Sequence, residues 1–164
     1  MKTVDVPVLA VYKGITGVIV DLEIESRKGS GTLLLDIKLC SSQGARQVIS
    51  TAFSLLNIKN TDILIRVKGG KHKCLCGNSL ALPVYLGMHA CMHGLQFKPK
   101  TFATGGIDNK GIITPVGRVA EKIKAILGSA DMLLVPKGQG LPVEGIKIIE
   151  VTDLQNAIKF ALKK

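Results

Sequence analysis

Three short segments between residues 77 and 122 dominate the architecture of this chain: GNSLA at 77–81, ATGG at 103–106 and PVGRVAEK at 115–122. Ser79 stands just before an apolar run, and Lys122 lies in a second run with helical periodicity. A serine hydroxyl is a weak nucleophile at neutral pH and needs a base. A lysine can be that base if burial lowers its pKa. Ser79 and Lys122 are therefore a candidate catalytic pair.

Two interpretations of Ser79 follow from its position. Gly77 and Asn78 form a turn that leads into a helix, so free backbone N–H groups and the positive end of the helix dipole surround the Ser79 hydroxyl. These groups could hold a developing oxyanion. Alternatively, Ser79 or Asn78 simply caps the helix, which is the commonest role of such residues. Position alone favours the cap.

Lys122 also allows two interpretations. A helical wheel places apolar residues on one face of its helix: Val119, Ile123, Ile126 and Leu127. Lys122 falls at the edge of that face, where a lysine can extend its ammonium to water. If the ammonium is held inside instead, desolvation lowers its pKa toward the pH at which a general base operates. The pattern alone favours the exposed amine.

The first half of the chain, residues 1–70, predicts an antiparallel meander followed by a helix. Three strands are expected at 6–12, 16–25 and 32–39, with turn residues between them. The second alternates apolar residues with polar or small ones. Ser41 or Ser42 then caps a helix that ends near Asn57, and a β-branched strand follows at 62–67.

The second half, residues 71–164, predicts alternating strands and helices. Helices are expected at 80–93 and 117–127, a hairpin at 101–107 and 112–114, and strands at 132–135 and 146–151. Thr152 and Gln155 form a capping box for a last helix through Leu162. We therefore predict a mixed α/β (α+β) fold, with residues 1–164 forming one domain.

Composition limits the classes of partner. The net charge is +10, from 22 Lys and Arg against 12 Asp and Glu, but the basic residues are scattered and the aromatics are only four Phe and two Tyr. A base-stacking platform has little to be built from, so we expect a solvated basic surface and no nucleic-acid partner. The start of the chain lacks a secretory signal, and no apolar run approaches a membrane span. Four cysteines in such a chain predict reduced thiols and a cytoplasmic location.

Histidines and cysteines cluster twice within a short distance: His72, Cys74 and Cys76, then His89, Cys91 and His93. This density suggests zinc, but a closed zinc site needs four ligands. The second cluster lies roughly 15 to 20 Å along a helix from the first, so each half-site would lack ligands. Packing explains the second cluster adequately, with Cys91 as a small hydrophobe. We expect neither a metal nor another cofactor.

The motifs resemble a known family. GNSLA at 77–81, TGGIDNKGIITPVGRVAEK at 104–122 and LLVPKGQ at 133–139 together resemble the proteolytic domain of Lon proteases, and most closely the small stand-alone Lon-like proteases of archaea. Several matches at fixed offsets are far more specific than a lone serine motif. The resemblance is clear over residues 77–162 and weak before them.

The resemblance implies a fold and a mechanism. The fold is the Lon proteolytic-domain type shared with domain 2 of ribosomal protein S5. Ser79 is implied to be the nucleophile and Lys122 its general base, with Thr104 orienting the amine and with Gly77 and Asn78 supporting the nucleophile. The implied activity is ATP-independent hydrolysis of unfolded protein or peptides. A homo-oligomer, in particular a hexameric ring, is also implied.

The sequence departs from the family pattern around the implied site. The usual GPSAG is GNSLA at 77–81, no acid stands just before Ser79, and TGE is TGG at 104–106. Arg118 replaces the second glycine before the lysine helix. These departures leave open a second hypothesis, a catalytically degenerate Lon-fold binding or scaffold module. Such a module could use its positive charge to associate with nucleic acid or an acidic partner.

Overall fold

The computed structural model describes residues 1–40, 43–69, 75 and 77–164. Its strands are β1 (Lys2–Tyr12), β2 (Thr16–Lys28), β3 (Leu33–Leu35), β4 (Thr61–Val67), β5 (Gln96–Phe97), β6 (Thr101–Ala103), β7 (Gly106–Ile107), β8 (Ile113–Thr114), β9 (Met132–Pro136), β10 (Lys147–Val151) and β11 (Leu162–Lys163). Its helices are α1 (Ile37–Cys40), α2 (Gln43–Ser54), α3 (Ala81–His93), α4 (Val119–Ile126) and α5 (Leu154–Ala161), with a 3-10 turn at Asn78–Leu80. Each helix in these ranges is too short or too polar to span a bilayer.

A mixed sheet joins the two halves of the chain. Among the described residues its strand order is β10-β9-β6-β1-β2-β4-β3. The pairs β1–β2 and β2–β4 are antiparallel, whereas β3–β4, β1–β6, β6–β9 and β9–β10 are parallel. The predicted mixed α/β (α+β) class is confirmed at this level.

The predicted antiparallel meander is wrong in its third strand. β3 covers Leu33–Leu35 instead of 32–39, and it pairs parallel to β4 at the edge of the sheet. Asp36 ends the strand because its carboxylate accepts the Lys38 N–H at 3.0 Å and its carbonyl accepts the Leu39 N–H at 2.9 Å, which begins α1. The helical connection through α1 and α2 then allows parallel pairing. The predicted caps Ser41 and Ser42 lie outside the described residues.

The predicted helices of the second half are confirmed, with corrected boundaries. α3 ends at His93 because Gly94 adopts the left-handed conformation, with φ 66°. The capping box of Thr152 and Gln155 is wrong. Asp153 caps α5 instead, since its carboxylate accepts the Asn156 N–H at 2.8 Å. The short pair β5–β11 was not predicted, because two-residue strands carry no periodicity.

Helices cover both faces of the sheet. Side chains of β9 alternate, so that Leu134 packs in a cluster with α3 and α5, while Leu133 and Val135 pack in a cluster with α4. A third cluster joins β1, β2 and β4 to α2 and α3. The helix that carries Lys122 therefore lies on the opposite face from the helix that follows Ser79.

Two glycines permit the close approach of these helices. A Cβ at Gly87 of α3 would overlap the Val6 side chain on β1, so any larger residue would push α3 away from the sheet. A Cβ at Gly17 of β2 would overlap the backbone carbonyl of Glu121, so α4 also touches the sheet directly. The second contact fixes the depth at which Lys122 enters the core.

Candidate active site

The Lys122 side chain is directed into the protein. The residue is only 4% exposed. Its Nζ donates to the Gly117 carbonyl at 3.0 Å and to the Thr104 hydroxyl at 3.3 Å. The expectation that the ammonium would extend to water is therefore wrong, because two oxygens inside the protein replace part of its hydration.

Burial alters the acidity of this amine. Desolvation lowers the pKa of Lys122 from its ordinary value of 10.5 to about 8, against the opposing attraction of the Glu121 carboxylate. A fraction of about one tenth is then uncharged at neutral pH, whereas an exposed lysine is almost fully protonated. The amine has the acid–base property that a general base requires.

Thr104 is rigidly placed behind the Lys122 amine. It follows β6 directly and is fully buried, and its N–H donates to the Leu134 carbonyl at 3.0 Å. The parallel pairing of β6 with β9 therefore determines where the Thr104 hydroxyl lies. That hydroxyl accepts one hydrogen bond from Lys122, which orients the amine.

Ser79 lies in the 3-10 turn that precedes α3. Gly77, at the start of this turn, has φ 99° and ψ 159°, a conformation that is essentially restricted to glycine. Neither the turn nor α3 receives a side-chain cap hydrogen bond. The interpretation of Ser79 or Asn78 as a helix cap is therefore wrong, because the backbone alone forms this helix start.

Backbone hydrogen bonds connect the serine turn to the segment that carries Thr104. The Leu82 N–H donates to the Gly105 carbonyl at 3.0 Å, and the Gly105 N–H donates to the Ser79 carbonyl at 3.4 Å. The Ala81 N–H donates to the Asn78 carbonyl. The amides of Ala81 and Leu82 are thus engaged within the protein, so these two are not among the free N–H groups that were expected around the Ser79 hydroxyl.

Ser79 and Lys122 line one cavity of about 400 Å³. Gly77 and Asn78 line it as well, so four of the five predicted site residues share this wall, while Thr104 lies behind Lys122. The described lining is completed by residues that the sequence did not predict: Ala10, Val11, Pro115, Val116, Gly117 and Arg118. The cavity is large enough for a side chain and the adjoining peptide group of a substrate.

The contribution of β1 to the cavity follows from strand register. Val8 pairs with Ala103, which is the last residue of β6, whereas β1 continues to Tyr12. Ala10 and Val11 therefore extend past the end of the neighbouring strand and reach the cavity. The sequence predicted a strand at 6–12, but pairing between segments so far apart in sequence is not visible in a local pattern.

Arg118 has an unusual backbone conformation. It precedes α4 with φ 61°, in the left-handed region, which costs a residue with a Cβ roughly 1–2 kcal/mol. The helix begins at Val119 instead of the predicted Gly117 for this reason. Glycine would adopt this conformation without steric cost.

Arg118→Gly is therefore expected to raise the free energy of unfolding by about 0.5–1 kcal/mol, since relief of the left-handed strain exceeds the entropy that glycine gains in the unfolded chain. The exposed Arg118–Glu121 pair, at 3.6 Å, contributes little to stability. Urea unfolding measures the change. Arg118→Ala is the control, because it removes the ion pair and keeps the strain. Equal stabilities of the two variants would contradict the prediction.

The second histidine–cysteine cluster is used in packing. The rings of His89 and His93 lie 4.3 Å apart between centroids, and Tyr85 stacks on His89 at 6.1 Å. The Cys91 thiol is buried and donates to the Lys2 carbonyl at 3.0 Å. Within the described ranges, no group of three His, Cys, Asp or Glu residues could hold a metal ion. His72, Cys74 and Cys76 lie outside those ranges.

One comparison with known proteins bears on this site. The chain is similar to a Lon protease of Paraburkholderia phytofirmans, with 26% identity over 152 residues. The similarity covers 86% of this chain but only 18% of that much longer protein. No family model matches the chain. The similarity supports a relation to Lon proteases.

Proposed function

We propose that this chain is a Lon-like serine peptidase that hydrolyses peptide bonds of unfolded protein or peptides with a Ser79–Lys122 dyad. The observation that carries the proposal is a buried lysine amine of lowered pKa that lines the same cavity as a serine hydroxyl free of any capping bond. The similarity to a Lon protease supports the same reaction class. We further propose that residues 1–164 form one Lon proteolytic domain of the ribosomal protein S5 domain 2-like type.

The hydrogen bonds of Lys122 suit its role as a base. An uncharged amine has two N–H groups and one lone pair. The Thr104 hydroxyl and the Gly117 carbonyl accept the two N–H groups. The lone pair is then left to accept the proton of the Ser79 hydroxyl. Thr104 and Gly117 are positioning residues in this scheme, because their oxygens orient the amine.

Acylation and deacylation use the same pair of side chains. Lys122 takes the Ser79 proton while Oγ bonds to the scissile carbonyl carbon, whose oxygen takes the negative charge. The lysine ammonium then gives that proton to the amide nitrogen as the C–N bond breaks, which leaves an acyl ester on Ser79. A water molecule gives a proton to Lys122 and attacks the ester, and the ammonium returns the proton to Ser79 as the acid product leaves.

We propose that the backbone N–H of Ser79 donates a hydrogen bond to the oxyanion and stabilises it. The amides of Ala81 and Leu82, which follow in the chain, already donate to the Asn78 and Gly105 carbonyls. The fixed conformation of Gly77 holds the turn, so the donor needs no reorganisation during the reaction. An extended substrate would add to the part of β1 beyond Val8 by main-chain hydrogen bonds.

Other features of the proposal rest on the family resemblance. We propose that the chain resembles the stand-alone archaeal type, acts in the cytoplasm without ATP and without a cofactor, and assembles into a homo-oligomer, in particular a hexameric ring. A ring would restrict access of folded proteins to the cavity. Analytical ultracentrifugation of the purified protein tests the assembly directly.

Covalent labelling tests the nucleophile. A serine-directed aryl phosphonate is expected to add one label per chain, on Ser79, and peptide mapping by mass spectrometry locates it. Ser79→Ala should take no label and should cleave casein at the background rate. Ser129→Ala is the control, since this hydroxyl donates to the Ile126 carbonyl at the end of α4. A label elsewhere, or full casein cleavage by Ser79→Ala, would refute the dyad. No label together with salt-sensitive DNA retention would favour the binding module.

A further inference from the structure

The cavity that holds Ser79 and Lys122 has a basic wall. Arg118 lines it together with Lys122, and the described lining includes no Asp or Glu side chain. The Lys122 amine donates two hydrogen bonds inside the protein, whereas the Arg118 side chain is 60% exposed. Arg118 is therefore the solvent-exposed cation of this wall.

The guanidinium of Arg118 is only weakly held by the protein. Its contact with the Glu121 carboxylate is 3.6 Å long, and exposed pairs of this kind contribute little. A planar guanidinium binds a carboxylate with two parallel hydrogen bonds, which are stronger than bonds between neutral groups. A substrate carboxylate can therefore compete with Glu121 for Arg118.

The backbone places this cation close to the base in the chain. The Arg118 carbonyl accepts the Lys122 N–H at 3.2 Å, so the two residues are one helical turn apart at the start of α4. α4 is itself pressed against β2 at Gly17. A carboxylate bound to Arg118 would thus lie within the reach of its side chain from the start of α4, near the residue that carries the base.

A neighbouring cavity has the opposite charge. It is about 370 Å³ in volume, and it shares Asn78 and Pro115 with the first cavity. Its charged lining residue is Asp108, whose Oδ1 accepts the N–H groups of Lys110 and Ile112. Its other described lining residues are uncharged, including Val48, Ile107 and Thr114. The two neighbouring cavities therefore offer different electrostatic environments to an extended peptide.

We propose that Arg118 is a specificity-determining residue that selects peptides with a carboxylate side chain on the Arg118 side of the scissile bond. This inference rests on the proposed peptidase function. The substrate class is an acidic peptide segment, with Asp or Glu at one position on that side and no such preference on the side of Asp108. Arg118 would recognise the carboxylate by charge and hydrogen bonding. The same peptide with Gln in place of Glu, or Asn in place of Asp, is therefore expected to be a poor substrate.

The test compares peptides that differ only in Glu against Gln at single positions on both sides of the cleaved bond. The wild-type protein is expected to favour Glu about tenfold in kcat/KM at one position, as charged hydrogen bonds in specificity sites do. Arg118→Ala should reduce the Glu/Gln ratio to about one, and Arg118→Glu should favour Lys there. Lys124→Ala is the control, because it removes one charge from α4 outside this cavity.

A binding measurement separates this inference from the proposed function. Fluorescence anisotropy with the Ser79→Ala variant compares the affinities of the Glu and Gln peptides, with and without Arg118→Ala. Loss of the Glu preference on removal of Arg118 supports the inference, even where no peptide is hydrolysed and the peptidase proposal fails. A Glu/Gln ratio that is unchanged by Arg118→Ala, or reduced equally by Lys124→Ala, would overturn it.

Discussion

Replacing Lys122 with methionine is expected to abolish peptide hydrolysis while making the protein more stable. Loss of the general base should lower kcat/KM by about 10³-fold or more, because a protonated serine attacks a peptide carbonyl very slowly. Methionine has a similar length and carries no charge, so it can occupy the same buried space. Activity and stability thus move in opposite directions, as is common at functional sites.

The stability gain follows from the pKa of Lys122. The fall from 10.5 to about 8 corresponds to a cost of roughly 3 kcal/mol for folding with the amine buried at neutral pH. Loss of the hydrogen bonds to Thr104 and Gly117 offsets roughly 1–2 kcal/mol of this, and screening by solvent reduces the rest. We expect a net gain of about 1 kcal/mol at pH 7.

The sign of the pH dependence provides a second readout. The unfolded chain binds more protons than the folded one between pH 8 and 10.5, so wild-type stability should rise across that window. The advantage of Lys122→Met should therefore shrink from pH 7 to pH 10. Urea unfolding at both pH values measures it. Lys124→Met, on the exposed face of the same helix, should change neither quantity appreciably. Hydrolysis by Lys122→Met within tenfold of wild type would exclude the lysine as base.

The helices around the site were predictable, whereas the burial of Lys122 was not. Apolar periodicity placed α3 after Ser79 and α4 around Lys122. The same periodicity placed Lys122 at the edge of an apolar face, a position that favoured an exposed amine. Lys122 is buried because the Thr104 hydroxyl accepts a hydrogen bond from its amine and because Gly17 lets α4 pack closely against β2. Both belong to segments distant in sequence.

The errors in the fold have a common physical origin. Residues 32–39 have the composition of a strand, but Asp36 forms local hydrogen bonds that end it, and the remaining strand pairs with β4 after a helical crossover. Asp153 caps α5 in place of Thr152, because its carboxylate accepts the Asn156 N–H. Ala10 and Val11 reach the cavity because β6 ends at Ala103. In each case, a hydrogen bond or a register outweighed a local propensity.

The rate of hydrolysis is expected to rise steeply with pH and to level off above about pH 8. Only the uncharged Lys122 amine can accept the Ser79 proton, and its pKa of about 8 sets the midpoint. Below the midpoint, kcat/KM should increase about tenfold per pH unit, which gives about 100-fold between pH 6 and pH 9. Rates with a neutral fluorogenic peptide, at constant ionic strength, measure the profile.

Two variants assign this midpoint to Lys122. Thr104→Val removes an oxygen that stabilises the ammonium more than the amine, so the midpoint should move to lower pH, with a reduced plateau because the amine is less well oriented. His89→Gln is the control. Burial, with the charge of His93, lowers the pKa of His89 below its usual 6.5, and this residue lies outside the described lining of the cavity. A midpoint that follows His89, or rates independent of pH from 6 to 9, would mean that a group other than Lys122 limits the reaction.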